Sequence, residues 1–372
     1  MASKKGAIAQ IISDQWDNII ARCNTYQIRV LHAIKSCRTA TLGGQLYLCN
    51  KCHKNHVRYN SCGNRHCPGC QNTERLKWID DRQNQCIETK YFHVVFTIPD
   101  SLNALCLSNQ RVMYKILFQC AWETLNGFGW NKKFLGAQIG ATMVLHTWGS
   151  NLSYHPHVHC IVPGGGISIK NKWKQANGKG KYLFPVKAMS TVFREKFKDA
   201  LKQVGLKTNC RVQKKAFEKE WVVYAKPAFG NKEVLIKYLA RYTYKTAITS
   251  SRIKQYDKYQ VRFSYTDYKH RNQGKTMSLS TWEFARRFTM HILPKGFIRI
   301  RHFGILHSSW KMKLFPTSKK SSKDYKTIWL EKGFDVDKCP NCKKGKLVFI
   351  GEIQPTRGPP NNTSNYENRH SL

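Results

Sequence analysis

Acidic residues are scarce: the 372-residue chain carries 22 Asp and Glu against 63 Lys and Arg, a formal charge of +41 at pH 7. That excess is too large for one solvated face and too dispersed for one tail. A polyanion is the natural partner, because each neutralised phosphate releases condensed counterions. Long hydrophobic runs are also missing. Nowhere do 18 apolar residues follow one another, so no membrane span is expected. No long basic amphipathic helix marks a terminus, which weakens an anionic membrane surface as the explanation for the charge. Residues 1–20 hold no apolar core of signal-peptide length, and a cytoplasmic protein is expected. There, 14 cysteines are not a disulfide framework; clustered ones read as metal ligands. The length suits two or three domains.

What is present begins with Tyr154-His155-Pro156-His157-Val158-His159-Cys160-Ile161-Val162-Pro163, followed by Gly164-Gly165-Gly166. Pro156 belongs near a strand's start and the glycines end it. Alternation along a strand puts His157 and His159 on one face, where they can grip one metal ion. The competing reading is a turn cap and a half-buried sheet histidine. His146 lies on the expected neighbouring strand, Gly140–Trp148, and is the first choice for a third ligand, with His155 second.

Cys49-x2-Cys52 and Cys67-x2-Cys70, with fourteen residues between the pairs, have zinc-ribbon spacing. Four thiolates so placed can close a tetrahedron around Zn²⁺ and replace the core a short segment lacks. Cys37, Cys62 and His66 are candidates for a second site. Arg58, Arg65, Lys51 and Lys54, interspersed among these ligands, would present charge to DNA. Further on, Cys339-x2-Cys342 is half a knuckle: either a tight turn or ligands shared with another cysteine.

Between these landmarks the pattern reads β-α-β-β-α-β, an α+β antiparallel sheet with helices on one side. Tyr91–Pro99 is an apolar, β-branched run that reads as a central strand, 101–127 and 190–204 are amphipathic helices, and Trp221–Ala225 is a strand. A helix from about Glu233 to Lys245 puts Tyr238 and Tyr242 on one face, beside Lys237, Arg241 and Lys245. Two phenols there are either core aromatics or, helped by cations and a metal, nucleophiles. Short strands and a helix near Trp282–Ile292 extend the catalytic region, with Arg286, Arg287, Arg299 and Arg301 expected at DNA. Thr317–Lys326 reads as a basic linker, and the chain from Gln354 reads as disordered.

Several of these pieces, in order, carry a resemblance. They are Cys37-Arg38-Thr39-Ala40-Thr41-Leu42-Gly43-Gly44, Ser61-Cys62-Gly63-Asn64-Arg65-His66-Cys67-Pro68-Gly69-Cys70, Phe92-His93-Val94-Val95-Phe96-Thr97-Ile98-Pro99 and Leu145-His146-Thr147-Trp148-Gly149. His155-Pro156-His157-Val158-His159, Tyr238-Leu239-Ala240-Arg241-Tyr242-Thr243 and Leu293 to Gly304 complete the set. The chain resembles the rolling-circle transposases of the insertion-sequence 91 family, two-tyrosine HUH endonucleases, from about residue 10 to residue 310. The resemblance implies a zinc-binding domain (1–80), an HUH catalytic domain with an RRM-like core (81–315), and a region of linker, knuckle and tail (316–372). It implies that His157 and His159 hold Mg²⁺ or Mn²⁺ and that Tyr238 and Tyr242 cleave single-stranded DNA through a 5′-phosphotyrosine. Such transesterification needs no nucleotide cofactor, consistent with the lack of a Walker-type Gly-x4-Gly-Lys-Ser/Thr motif. Two rival readings remain: a plasmid-type HUH replication initiator or relaxase, and a non-catalytic zinc-ribbon protein that stacks single strands on its tyrosines.

Overall fold

The computed structural model describes residues 6–83, 86–176, 183–207, 209–226, 236, 238, 242–268, 270, 272–310 and 323–356. Helices α1 (Ala7–Asp14), α2 (Trp16–Ile20) and α3 (Thr25–Lys35) come first, then strands β1 (Gly44–Cys49) and β2 (Asn55–Tyr59) and helix α4 (Gln71–Gln83). Next come β3 (Tyr91–Thr97), α5 (Asn103–Ser108), α6 (Gln110–Trp130), β4 (Gly140–Trp148), β5 (Tyr154–Pro163), β6 (Gly165–Ile167) and β7 (Trp173–Gln175). Helices α7 (Val186–Gln203) and α8 (Cys210–Phe217) lead to β8 (Val223–Lys226). The chain continues through β9 (Ile253–Tyr256), β10 (Gln260–Asp267), β11 (Gln273–Ser280), α9 (Thr281–Met290), β12 (Ile300–Gly304), α10 (Tyr325–Leu330) and β13 (Leu347–Ile353).

The central sheet runs β12-β4-β5-β3-β8, with every neighbouring pair antiparallel. Its period-two pattern sorts side chains onto two faces. Val94 and Phe96 on β3, Met143 and Leu145 on β4, and Val158, Cys160 and Val162 on β5 join one core. Helices α6 and α7 cover it through Tyr114, Leu117, Phe118, Phe193 and Phe197, all essentially inaccessible. Helices on one side of an antiparallel sheet match the expected α+β class. The outermost strand, β12, is an addition to the expected pattern. Gly304 ends that strand at φ 55°, where a Cβ would lie 2.0 Å from the Ile139 carbonyl oxygen. Only glycine fits there.

There is a second core. From the three-stranded sheet β11-β10-β9 and helix α9, Val261, Phe263, Phe284 and Phe288 bury against Ile8, Ile11, Ile12, Val30 and Leu31 of the N-terminal helices, beside Cys67 and Cys70. Helix α3 enters this core with a capping box: the Asn24 side chain accepts from the Gln27 amide at 2.9 Å, and the Asn24 amide donates to Gln27 Oε1 at 3.0 Å. Segments more than 200 residues apart therefore share one interior. A third sheet, β13-β1-β2, joins the described C-terminal residues to the N-terminal cysteine segment. Among the described residues no helix is long and apolar enough to cross a membrane.

Candidate active site

The face of the central sheet away from α6 and α7 carries imidazoles. Register places His146 opposite His157 and Val144 opposite His159, while His93 on β3 sits diagonal to His159, whose direct partner is Val95. One nitrogen from each of His146, His157 and His159 lies within 4.8 Å of the others, and His157 Nε2 is 3.1 Å from His159 Nε2. An ion bonded at about 2.1 Å to each ring would hold ligand nitrogens about 3–3.5 Å apart, so the set fits a cation. His155 does not join the group. Its carbonyl accepts from His157 Nδ1 at 2.6 Å, which leaves the Nε2 lone pair of His157 bare. Burial, then the neighbouring charges of His155, Lys245 and His93, pushes His157 down to about 3. His146 and His159 are held well below the usual imidazole range, by burial first and then by their neighbours. The rings are therefore neutral at pH 7, the form that ligates metal.

Tyr238 and Tyr242 are helical residues lying directly over this face. The Tyr242 hydroxyl donates to that of Tyr238 at 3.0 Å, and the Tyr238 hydroxyl is 2.9 Å from His93 Nδ1. His93 Nε2 is in turn 2.9 Å from His159 Nδ1. The Tyr242 ring sits 4.2 Å, centroid to centroid, from His159, and its carbonyl accepts from His146 Nε2 at 2.7 Å. Both phenols are half-buried. Buried Arg299 secures the end of this helical segment by donating to the carbonyls of Thr243 at 2.6 Å and Lys245 at 3.2 Å. Those are carbonyls that a helix end leaves without partners. Burial, then repulsion from Arg65, lowers Arg299 to about 10, so it stays charged. An open cleft of about 420 Å³ runs beside the tyrosines, lined by Pro68, Gln71 and Arg75 on one side and Tyr242, Tyr244, Lys245 and Thr249 on the other.

Residues 11–98 match a family model described as "Transposase zinc-binding domain", and 140–313 match one described as "Putative transposase". The chain is 38% identical over 367 residues to "Putative transposase y4qJ" of Sinorhizobium fredii (strain NBRC 101917 / NGR234), covering 91% of this chain and 92% of that protein. This chain belongs to the insertion-sequence 91 family of transposases. It is also 30% identical over 294 residues to the "Transposase for insertion sequence element IS801" of Pseudomonas savastanoi pv. phaseolicola, covering 75% of this chain and 70% of that one. No solved structure matches.

The cysteines of this transposase are distributed differently from the sequence expectation. Cys49 and Cys52 do not meet Cys67 and Cys70. Cys67 and Cys70 gather with Cys37 and Cys62, while Cys49 and Cys52 gather with Cys339 and Cys342. The physical reason is the β1–β13 pairing, which runs from Gly44 opposite Ile353 to Cys49 opposite Leu347 and swings the C-terminal knuckle onto the N-terminal one. His66 belongs to neither group; buried, its Nε2 lies 3.3 Å from Arg65 Nε. The zinc-binding domain and its cysteine clustering support a structural Zn²⁺.

Basic residues expected at DNA separate likewise. Arg65 turns inward and donates to the carbonyls of Pro294 and Phe297, stitching the cysteine module to the segment before β12. Arg286 and Arg287 bind Glu283, and Arg301 covers the Phe118 ring at 4.5 Å. Lys245 remains exposed at the cleft, while Lys237 and Arg241 lie outside the described residues. His93 is the residue that sequence reasoning missed. Its only signal was a single ionisable side chain inside an apolar strand.

Proposed function

We propose that this transposase cuts and rejoins single-stranded DNA by transesterification, as the chemical step of rolling-circle transposition. The observation that carries it is the hydrogen-bonded path from Tyr242 through Tyr238 and His93 to His159, whose Nε2 faces that of His157 at 3.1 Å. A phenol near pKa 10 is a weak nucleophile at neutral pH, so its environment must favour the phenolate or lower the charge on phosphorus. His146, His157 and His159 would hold Mn²⁺ or Mg²⁺, the softer Mn²⁺ being preferred by an all-imidazole set. When bound, such an ion withdraws charge from a non-bridging phosphate oxygen.

The chain's own groups do the rest. For Nε2 of His159 to offer its lone pair to an ion, its proton must sit on Nδ1 and point at His93 Nε2. His93 then carries its own proton on Nδ1, aimed at the Tyr238 oxygen. In that tautomer His93 donates to the attacking oxygen and steadies the phenolate; it does not accept the phenol proton. The Tyr oxygen forms a bond to phosphorus, the bond from phosphorus to O3′ breaks, and the phenol proton ends on O3′ directly or through solvent. A 5′-phosphotyrosine and a free 3′-hydroxyl result, and reversal rejoins ends without nucleotide hydrolysis. The second tyrosine allows a partner cut before rejoining. Lys245 at the cleft, with Lys237 and Arg241, would contact the DNA backbone, and Cys37, Cys62, Cys67 and Cys70 would bind structural zinc. An all-thiolate set of sulfurs 3.5 Å (Cys37–Cys70) and 3.6 Å (Cys62–Cys70) apart supports that assignment.

The test is incubation of the full chain with labelled single-stranded element ends and Mn²⁺, then a denaturing gel. A covalent protein–DNA band that is absent without metal and absent in His157→Ala is expected. Cleavage giving no covalent band would replace the phosphotyrosine route with hydrolysis.

A further inference from the structure

Of the second group of four cysteines, Cys339 and Cys342 lie outside the residues that either transposase model matches, and the proposed cleavage uses none of the four. We infer that Cys49, Cys52, Cys339 and Cys342 form a second zinc site, which clasps the C-terminal segment to the N-terminal module.

Cys49 Sγ is 3.7 Å from Cys342 Sγ, and Cys52 Sγ is 3.8 Å from Cys339 Sγ. All four sulfurs lie within 4.8 Å of one another. A tetrahedron of thiolates at about 2.3 Å from zinc has edges of about 3.8 Å, whereas a disulfide needs about 2.05 Å between sulfurs. The spacing fits a shared ion and not two crosslinks.

The backbone repeats itself around the site. His53, just after Cys52, has φ 51°, and Lys343, just after Cys342, has φ 55°. The His53 amide donates to the Cys49 carbonyl at 3.1 Å, and the Lys343 amide donates to the Cys339 carbonyl at 3.0 Å. Each knuckle is thus the same turn, built 287 residues apart as measured from Cys52 to Cys339. Amides point at sulfur on both sides: Lys51 and Cys52 donate to Cys49 Sγ at 3.4 Å, and Gly345 donates to Cys342 Sγ at 3.3 Å. A Cβ on Gly345 would come within 2.5 Å of Cys49 Sγ, so the second knuckle closes over the first knuckle's sulfur with no room to spare. His56 Nε2 is 3.4 Å from Cys339 Sγ and can donate to it.

Charge points the same way. Lys51, Lys54, Lys338, Lys343, Lys344 and Lys346 crowd around these turns. Zn²⁺ with four thiolates carries a net charge of −2, which offsets their mutual repulsion. Neutral thiols would not.

Zinc content of the purified full chain by plasma mass spectrometry tests the inference, with Cys339→Ser/Cys342→Ser as the variant. The double variant should hold one zinc per chain fewer than the parent; an unchanged content overturns the site. Should the variant not fold, peptide-resolved alkylation of the parent chain decides. Cys49, Cys52, Cys339 and Cys342 should be protected with zinc and become reactive as one set after a chelator. Equal reactivity of Cys339 and Cys342 before and after chelation overturns it. Gly345→Ala should release one zinc at a lower chelator concentration than the parent; release at the parent's concentration counts against the closed two-knuckle geometry.

Discussion

The two faces of the central sheet are made by the same strands and do opposite things. On one, Phe96, Val158 and Met143 meet the aromatic side chains of α6 and α7, and burial of apolar area stabilises the fold. On the other, one residue along each strand, His93, His146, His157 and His159 bury polar rings: His93 pairs with His159 and the Tyr238 hydroxyl, and His146 and His157 reach backbone carbonyls. Burying imidazoles costs stability unless each nitrogen has a partner. The hydrogen-bonded path supplies partners and orients the rings, while burial keeps them neutral. One face is there to fold the protein, and the other is held in place by it.

Substitutions that respect this division should separate the two roles. The largest effect is expected from Tyr238→Phe/Tyr242→Phe. It removes both hydroxyls, keeps both rings, and should abolish covalent DNA attachment with melting temperature nearly unchanged. Retained attachment would move the nucleophile elsewhere. On the opposite face, Phe193→Ala removes a fully buried ring packed 4.9 Å from Phe96. It should cost about 3–5 kcal/mol in denaturant unfolding, with cleavage per folded molecule preserved. A Phe193→Ala protein that is stable yet inactive would erase the distinction between the faces.

A smaller effect belongs to His93, which touches a metal-ligand candidate and the nucleophile candidate but not the metal position itself. His93→Ala should lower cleavage or Mn²⁺ affinity by roughly 10–100-fold, the usual cost of losing a ligand's hydrogen-bond partner. His93→Gln, which can still donate at that position, should recover part of it. Equal loss in both variants would argue for a proton acceptor rather than a donor.

The smallest effect is on pH dependence. Burial pushes His66 down to about 3 and His93 and His291 down to about 4. Unfolded imidazoles titrate near 6.5. Between those values the unfolded chain binds protons that the folded chain refuses. Stability is therefore full above about pH 6.5 and falls as pH drops toward about 4. The urea midpoint at pH 5 should lie below that at pH 7.5; an equal or higher midpoint would contradict the neutral, buried assignment.

Local pattern made much of this legible. Alternation in His157-Val158-His159 placed two rings on one face, the strand Gly140–Trp148 supplied His146 beside them, and four-residue spacing paired Tyr238 with Tyr242. What failed was long-range. Nothing in Cys49-x2-Cys52 says that its partner lies beyond residue 338 and not at Cys67, because the pairing is decided by β1 meeting β13. Nor does a run of arginines announce that Arg65 and Arg299 will turn inward to hold carbonyls. His93 was hidden by its surroundings, an apolar strand that reads as core. Spacing along the chain finds ligands that share a strand or a turn; it does not find those delivered by a fold.

The central claim is that a phenol oxygen above the imidazole face becomes bonded to DNA phosphorus. Peptide mapping by mass spectrometry after nuclease trimming of the protein–DNA adduct tests it most directly. A nucleotide remnant on Tyr238 or Tyr242 is the predicted result. A remnant on any other residue, or intact unmodified tyrosine peptides from cleaved reactions, would contradict it.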